Sequence, residues 1–213
     1  CGIGLIPDVG VSYLLARAPG QVGAYLGLTA DRMGPGNAIF VGFADLYVPE
    51  SAWGSIKVAL CSQGNVASLT KAAQPAPEAA LIEHRAQIDH LFASETLADL
   101  VAKLQSDPGD FAQQALAKLS RNAPLSMAFT LEMLKQLRSG PLDIRRALEL
   151  EYRFTSRAME HGDFIEGIRA AIIDKDKSPK WSHDLTGVPE ADVAAMLQPV
   201  AGENVTFERR SEA

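Results

Sequence analysis

Hydrophobic residues in this chain recur almost everywhere at the helical spacing, and a single stretch, Ala44-Asp45-Leu46-Tyr47-Val48, reads as a strand. That imbalance limits the fold more than any other feature. Helices with an apolar face must cover something, and one strand is too little sheet to occupy them all. The chain is therefore either all-α or the helical part of a protein whose sheet lies in other sequence, and the second is the expectation. Its first residue agrees. The sequence starts at Cys1 and runs directly into Gly2-Ile3-Gly4-Leu5-Ile6-Pro7-Asp8-Val9-Gly10, without the charged and apolar regions of a signal peptide. It reads as the C-terminal piece of a longer chain.

The helical stretches can be placed by their start and stop signals. Pro19-Gly20 separates one helix over Val11 to Arg17 from another over Gln21 to Leu28. Gly34-Pro35-Gly36 is a turn, after which Asn37 is expected to cap a short apolar helix through Gly42. Pro49 ends the strand and opens a helix to about Cys61. Residues 63–78, broken by Pro75 and Pro77, read as a surface connection. Further helices are predicted near 79–93, 95–105, 108–121, 124–138 and 142–161. In the last, Ile144, Leu148, Tyr152 and Met159 form a stripe, and Glu149 and Arg153 are an i,i+4 pair. Asp163-Phe164-Ile165-Glu166 has the form of a capping box for a final helix to about Asp174.

Composition removes whole function classes. The 213 residues are 47% hydrophobic and 22% charged, which excludes a disordered chain. A net charge of −6 provides no basic field for a nucleic-acid backbone. The longest apolar run, Ala38 to Ala44, falls far short of the roughly 20 residues of a membrane span. The two cysteines, Cys1 and Cys61, form no disulfide or metal pattern and fit a reducing compartment.

Few residues suggest chemistry on their own. Asp8 stands between Pro7 and Val9 with glycines at 2, 4 and 10, in backbone able to approach a ligand closely. On the residues alone the more ordinary reading is a cap on the helix that begins near Val9. The histidines, His84, His90, His161 and His183, lack ligand spacing and are expected on the surface or satisfied in the core. Asp174-Lys175-Asp176-Lys177 reads as a solvated helix end, although Lys175 or Lys177 is in a position to meet a phosphate. Neither a Gly-x-Ser-x-Gly elbow nor a Gly-Lys-Ser/Thr phosphate loop is present.

Several segments together resemble a known family. Gly2 to Gly10 with Ser12-Tyr13, then Gly23-Ala24-Tyr25-Leu26-Gly27-Leu28-Thr29, then Ala38 to Asp45, resemble the second half of the crotonase (enoyl-CoA hydratase/isomerase) superfamily. Glu151-Tyr152-Arg153, Phe164-Ile165-Glu166-Gly167-Ile168-Arg169, and the narrower Ile173-Asp174-Lys175-Asp176-Lys177-Ser178-Pro179-Lys180-Trp181 are similar to its 3-hydroxyisobutyryl-CoA hydrolase branch. The resemblance covers residues 1–197 and implies an α/β spiral fold, also called ClpP-like, of which this chain is the mainly helical C-terminal part. On that pattern residues 1–62 end the spiral core, 63–78 connect, 79–197 form the helical region and 198–213 are a polar tail.

The resemblance also implies a site. Asp8 matches the second carboxylate of the hydrolase, Gly4, Ile6 and Pro7 would line the substrate, and Lys175 would reach a CoA phosphate. The catalytic Glu would stand immediately before Cys1, and both N–H donors of the oxyanion hole lie further upstream. Hydratases of the family have Gly where Asp8 stands, whereas dienoyl-CoA isomerases carry an Asp. The final-helix aromatic and basic residues of hydratases correspond here to Ala171 and Asp174. The implied activity is hydrolysis of a short β-hydroxyacyl-CoA thioester, without a metal or a cofactor beyond the coenzyme A of the substrate. The implied partners are acyl-CoA, the N-terminal part of the same protein and further copies of the chain in a homo-oligomer. Nucleic acid and membrane are not among them. The location would be cytoplasmic in a bacterium and the mitochondrial matrix in a eukaryote. A hydratase or isomerase on the same scaffold, and a non-catalytic helical interaction module, are the alternatives.

Overall fold

Why the first two helices sit so close is set by one glycine. In the computed structural model, which describes residues 1–64, 66–202, 205 and 207, α1 (Val11–Arg17) and α2 (Val22–Thr29) are joined across Pro19-Gly20. A Cβ on Gly23 would lie 1.9 Å from the Leu15 carbonyl oxygen, so only glycine permits this crossing. Every residue of α2 is buried, as befits a helix that is apolar all round. Arg138 reaches the last carbonyls of α1, Leu15 and Ala16, and also binds the Gln21 amide oxygen at 2.9 Å.

The remaining helices run in chain order: α3 (Pro35–Phe40), a 3-10 turn (Glu50–Ala52), α4 (Trp53–Gln63), α5 (Ala67–Ala72), α6 (Ala80–Glu83), α7 (Arg85–Leu91), α8 (Leu97–Ser106), α9 (Asp110–Leu119), α10 (Pro124–Arg138), α11 (Ile144–Thr155), α12 (Phe164–Ile168), a π-helical turn (Arg169–Ile173) and α13 (Glu190–Leu197). They form two compact units, one of Cys1–Asp31 with Gln87 onward, the other of Arg32–Ala86.

In the larger unit α10 is the central element. Its Leu125, Met127, Phe129, Met133, Leu134 and Leu137 are buried, and it packs against α1, α2, α8, α11 and α13. Phe129 meets Phe154 of α11 with ring centroids 4.8 Å apart. Tyr25 of α2 sits between Phe92 and Phe111, edge-on to one and stacked on the other. In the smaller unit Val41, Ile56 and Leu81 are the buried apolar residues. A Cβ on Gly36 would lie 2.1 Å from the Pro77 carbonyl oxygen, which brings α3 against the approach to α6.

Several sequence expectations need correction. The strand at Ala44–Val48 does not form: among the described residues the only pairing there is an isolated antiparallel bridge between Tyr47 and Gln74. A lone extended segment has no neighbouring strand with which to exchange a ladder of hydrogen bonds. The connection at 63–78 contains the short helix α5, and the helix expected near 79–93 breaks at His84 into α6 and α7. Asn37 lies inside the first turn of α3, and its side-chain oxygen accepts from the Leu81 N–H of α6 at 3.0 Å. The buried stripe of α11 is Ala147, Leu150, Glu151 and Phe154, with Ile144 45% and Met159 65% exposed. Arg153 donates to the Leu197 carbonyl of α13 at 3.0 Å rather than serving Glu149. The final helix was not the last, since α13 follows it. Most of the expected tail at 198–213 lies outside the described residues.

Candidate functional site

The segment from Cys1 to Gly10 is wedged between three helices. The Cys1 carbonyl accepts from the Gly4 and Ala123 N–H groups, each at 3.2 Å, and its thiol donates to the Gly27 carbonyl at 3.3 Å. Gly4 has φ +78°, and a Cβ there would lie 2.5 Å from the carbonyl carbon and oxygen of Asp163. Gly167 answers from the other side: its Cβ would lie 2.2 Å from the Ile3 carbonyl oxygen. Two glycines thus let the backbone of residues 2–4 press directly on α12. Ile6 is buried, and Pro7 packs toward Gly27 of α2.

Asp8 stands at the end of this wedge, half-buried. The capping role that its position allows is not the one it has. Gly10 is the N-cap of α1, and Asp8 engages the helix through its backbone carbonyl, which accepts from the Val11 N–H at 3.0 Å. The donors at the helix start go instead to Glu151 of α11. Its carboxylate accepts from the Gly10 N–H at 2.8 Å, the Ser12 N–H at 3.1 Å and the Ser12 hydroxyl. Between Asp8 and Gly10, Val9 adopts φ +52° and is 83% exposed. A β-branched residue in the left-handed region is strained.

The acidic and basic residues near 166–178 form a second constellation. Arg169 makes a bidentate pair with Glu166, both bonds at 2.8 Å. It also binds Asp174 and Asp176, each at 2.7 Å, and the Ser178 carbonyl at 3.1 Å. Glu166 accepts in turn from the Lys180 N–H at 2.7 Å. The hydrogen bonds from Arg169, followed by that from Lys180, hold its carboxyl at about 2, while its own partners raise Arg169. The expected capping box is therefore absent: Asp163 turns its Oδ1 to the backbone and hydroxyl of Ser182, at 2.9 and 2.7 Å, and Glu166 belongs to the arginine hub.

This hub ties down a loop in which Lys175 and Lys177 both have positive φ, 58° and 53°. Lys175 is exposed. Lys177 lines a cavity of about 600 Å³ together with Gly2, Arg121, Ala171 and Trp181, whose indole donates to the Arg121 carbonyl at 3.2 Å. Gly2 connects this cavity to the segment that carries Asp8. The structure thus groups Gly4, Ile6, Pro7 and Asp8, and places Lys175 on the separate arginine-bound loop. Glu151 escaped sequence reasoning, although an acidic residue on the apolar stripe of α11 was a usable signal. Among the described residues no cluster of His, Cys, Asp or Glu is arranged to hold a metal, and no helix is long and apolar enough to cross a membrane.

With this geometry in hand, comparison with known proteins is informative. The chain is 35% identical over 192 residues to the mitochondrial 3-hydroxyisobutyryl-CoA hydrolase of Gallus gallus, an alignment covering 84% of this chain and 49% of that protein. It is 31% identical over 217 residues to the Homo sapiens protein of the same name, covering 96% and 56%. The chain thus spans about half the length of the curated relatives it matches. Among solved structures it superposes on an enoyl-CoA hydratase from Rhodobacter sphaeroides 2.4.1 with a TM-score of 0.83 and 50% identity, over 94% of this chain and 58% of the other. A carnitinyl-CoA dehydratase from Mycobacterium thermoresistibile gives 0.89 at 36% identity, over 97% and 59%. The mainly helical architecture is therefore shared with part of those larger proteins. Residues 1–197 match as a continuous block, and the chain belongs to the enoyl-CoA hydratase/isomerase family.

Proposed function

We propose that this chain is the C-terminal part of an acyl-CoA thioester hydrolase acting on a short β-hydroxyacyl-CoA, with 3-hydroxyisobutyryl-CoA as the substrate. The observation that carries the reading is the placement of Asp8: a half-buried carboxylate that does not cap its helix, directly before the strained Val9-Gly10 turn. A glutamate immediately before Cys1, as the family resemblance implies, would join Asp8 as the second of a pair of carboxylates around one water. The names of the relatives, 3-hydroxyisobutyryl-CoA hydrolases, support the same chemistry.

In the reaction, water oxygen bonds to the thioester carbonyl carbon, the C–S bond breaks, and the CoA sulfur leaves with the proton that the water gave up. One carboxylate orients the attacking water, and the other takes the proton it gives up and hands that same proton to the leaving sulfur. Asp8 takes the second role. Gly4, Ile6 and Pro7 form the wall behind the acyl group, and Lys175 meets a phosphate of CoA. No cofactor beyond the coenzyme A of the substrate is required. The N-terminal part of the protein supplies the oxyanion hole, worth several kcal/mol in total, and copies of the protein assemble as a homo-oligomer. The mitochondrial names of the vertebrate relatives support a matrix location in a eukaryotic source, with the cytoplasm its bacterial counterpart.

A hydratase on the same scaffold is the second reading, favoured by the solved structure at 50% identity that bears the name enoyl-CoA hydratase. The test is release of free thiol from 3-hydroxyisobutyryl-CoA by the complete protein, beside hydration of crotonyl-CoA. Thiol release without hydration is the expected result. Hydration without thiol release assigns the protein to the second reading.

A further inference from the structure

Val9 has no visible reason to be strained. It is β-branched, lies at φ +52°, and its side chain is 83% exposed, so packing of its own does not repay the conformation. Gly10 follows at φ +87°, giving two consecutive left-handed residues directly after Asp8. Such a turn persists only when its surroundings over-determine it. The polar part of those surroundings comes chiefly from one side chain. Glu151, 3% exposed and 141 positions away from Gly10 in sequence, takes the Gly10 N–H on one carboxylate oxygen and both the Ser12 N–H and hydroxyl on the other. Ile144, on the same helix, closes the space behind Gly10, where its Cδ1 would lie 3.2 Å from a Cβ.

Three donors spread over two oxygens fix a carboxylate in both position and rotation. The same bonds fix the turn relative to α11, which is anchored in the core through Leu150 and Phe154. A buried carboxylate is costly unless it is fully hydrogen-bonded, and for helix capping alone a local Ser or Asp at position 10 would suffice. We propose that Glu151 is a positioning residue for Asp8: it clamps the Val9-Gly10 turn in its strained form and so sets where the Asp8 carboxylate stands over the thioester. The proposal rests on the reading of Asp8 as the proton-handling carboxylate.

The test uses the complete protein and the variants Glu151→Gln, Glu151→Asp, Val9→Gly and the double variant Val9→Gly/Glu151→Gln. Gln preserves size but turns an NH₂ group toward one of the N–H donors, whereas Asp keeps both acceptors and withdraws them by one methylene, about 1.5 Å. At a temperature where every variant is fully folded, Glu151→Gln lowers kcat for thiol release about 100-fold, the scale of a 1 Å misplacement, with KM within about threefold of wild type. Glu151→Asp falls between the two. A kcat that stays near wild type, or that falls only with the folded fraction, overturns the proposal. The clamp is also tested without any reaction. If Glu151 restrains strain at Val9, relieving that strain makes its loss cheaper, so the double variant melts above the temperature expected from adding the two single shifts. Additive shifts overturn the clamp. Absence of thiol release by wild type defeats the functional reading alone and leaves the melting result standing.

Discussion

Replacing Gly4 with alanine separates what the first segment does for folding from anything it does for chemistry. An alanine at φ +78° pays the left-handed penalty of about 1–2 kcal/mol. Its Cβ also lands 2.5 Å from the Asp163 carbonyl and 2.8 Å from the Phe164 N–H, backbone atoms that cannot rotate away. Forcing them apart adds the roughly 1–3 kcal/mol typical of overpacking. Together these make about 2–5 kcal/mol, and at about 2–4 °C per kcal/mol for a chain of this size the melting point falls by roughly 4–20 °C. Gly42 supplies the control. It has φ +77° with nothing within 4 Å of its Cβ, so Gly42→Ala carries the conformational penalty without the collision. Thermal melts followed by circular dichroism at matched pH compare the two. Equal shifts would refute the close backbone approach of residues 2–4 to α12, and with it the wedge that positions Asp8.

Other substitutions probe other parts of the account. Gly54 lies inside α4 with open space around it, and Gly54→Ala should stabilise the chain by about 0.5–1 kcal/mol, read in urea melts. Phe154→Ala empties a fully buried site against Phe129 and should cost about 3–5 kcal/mol in the same assay. Glu166 has its pKa lowered in the folded chain, from 4.5 to about 2, so its contribution is fully present above pH 4.5 and disappears as pH falls toward 2. The stability difference between wild type and Glu166→Gln should accordingly narrow across that window in acid titrations. Arg169→Lys removes the planar fork that binds both oxygens of Glu166 while reaching Asp174 and Asp176. Limited proteolysis should then cut within 174–181, a loop that wild type protects.

Most helices were legible because their period and their breakers are local. Pro19-Gly20, Pro124 and the apolar face of α10 each announce themselves within a few residues. The capping partners were not legible, for one physical reason. Asp8, Asn37 and Asp163 all sit where a short polar side chain commonly caps its own helix, and all three act differently. Asn37 serves α6, Asp163 holds Ser182, and the start of α1 is served by Glu151 from α11. A hydrogen bond between residues 141 positions apart leaves no periodic trace. The same limit applies to the loop at 174–177: alternating charge suggested a solvated end, whereas Asp174 and Asp176 both bind Arg169. The stripe of α11 slipped by one position because Glu151, an acid, occupies a core place. At Asp8 the residues alone favoured capping, and the resemblance favoured chemistry. The observed Gly10 cap removes the competing explanation.

The central claim is that the Asp8 carboxylate handles the proton of a thioester hydrolysis. Asp8→Asn in the complete protein tests it most directly, because the amide keeps the shape of the turn and removes only the charge and the proton-accepting oxygen. Turnover of 3-hydroxyisobutyryl-CoA and the melting point should be measured on the same preparation. The account predicts a loss of kcat of about 10²–10⁴-fold, the range for removing a general acid or base, with the melting point nearly unchanged. Turnover at the wild-type rate in Asp8→Asn would contradict it.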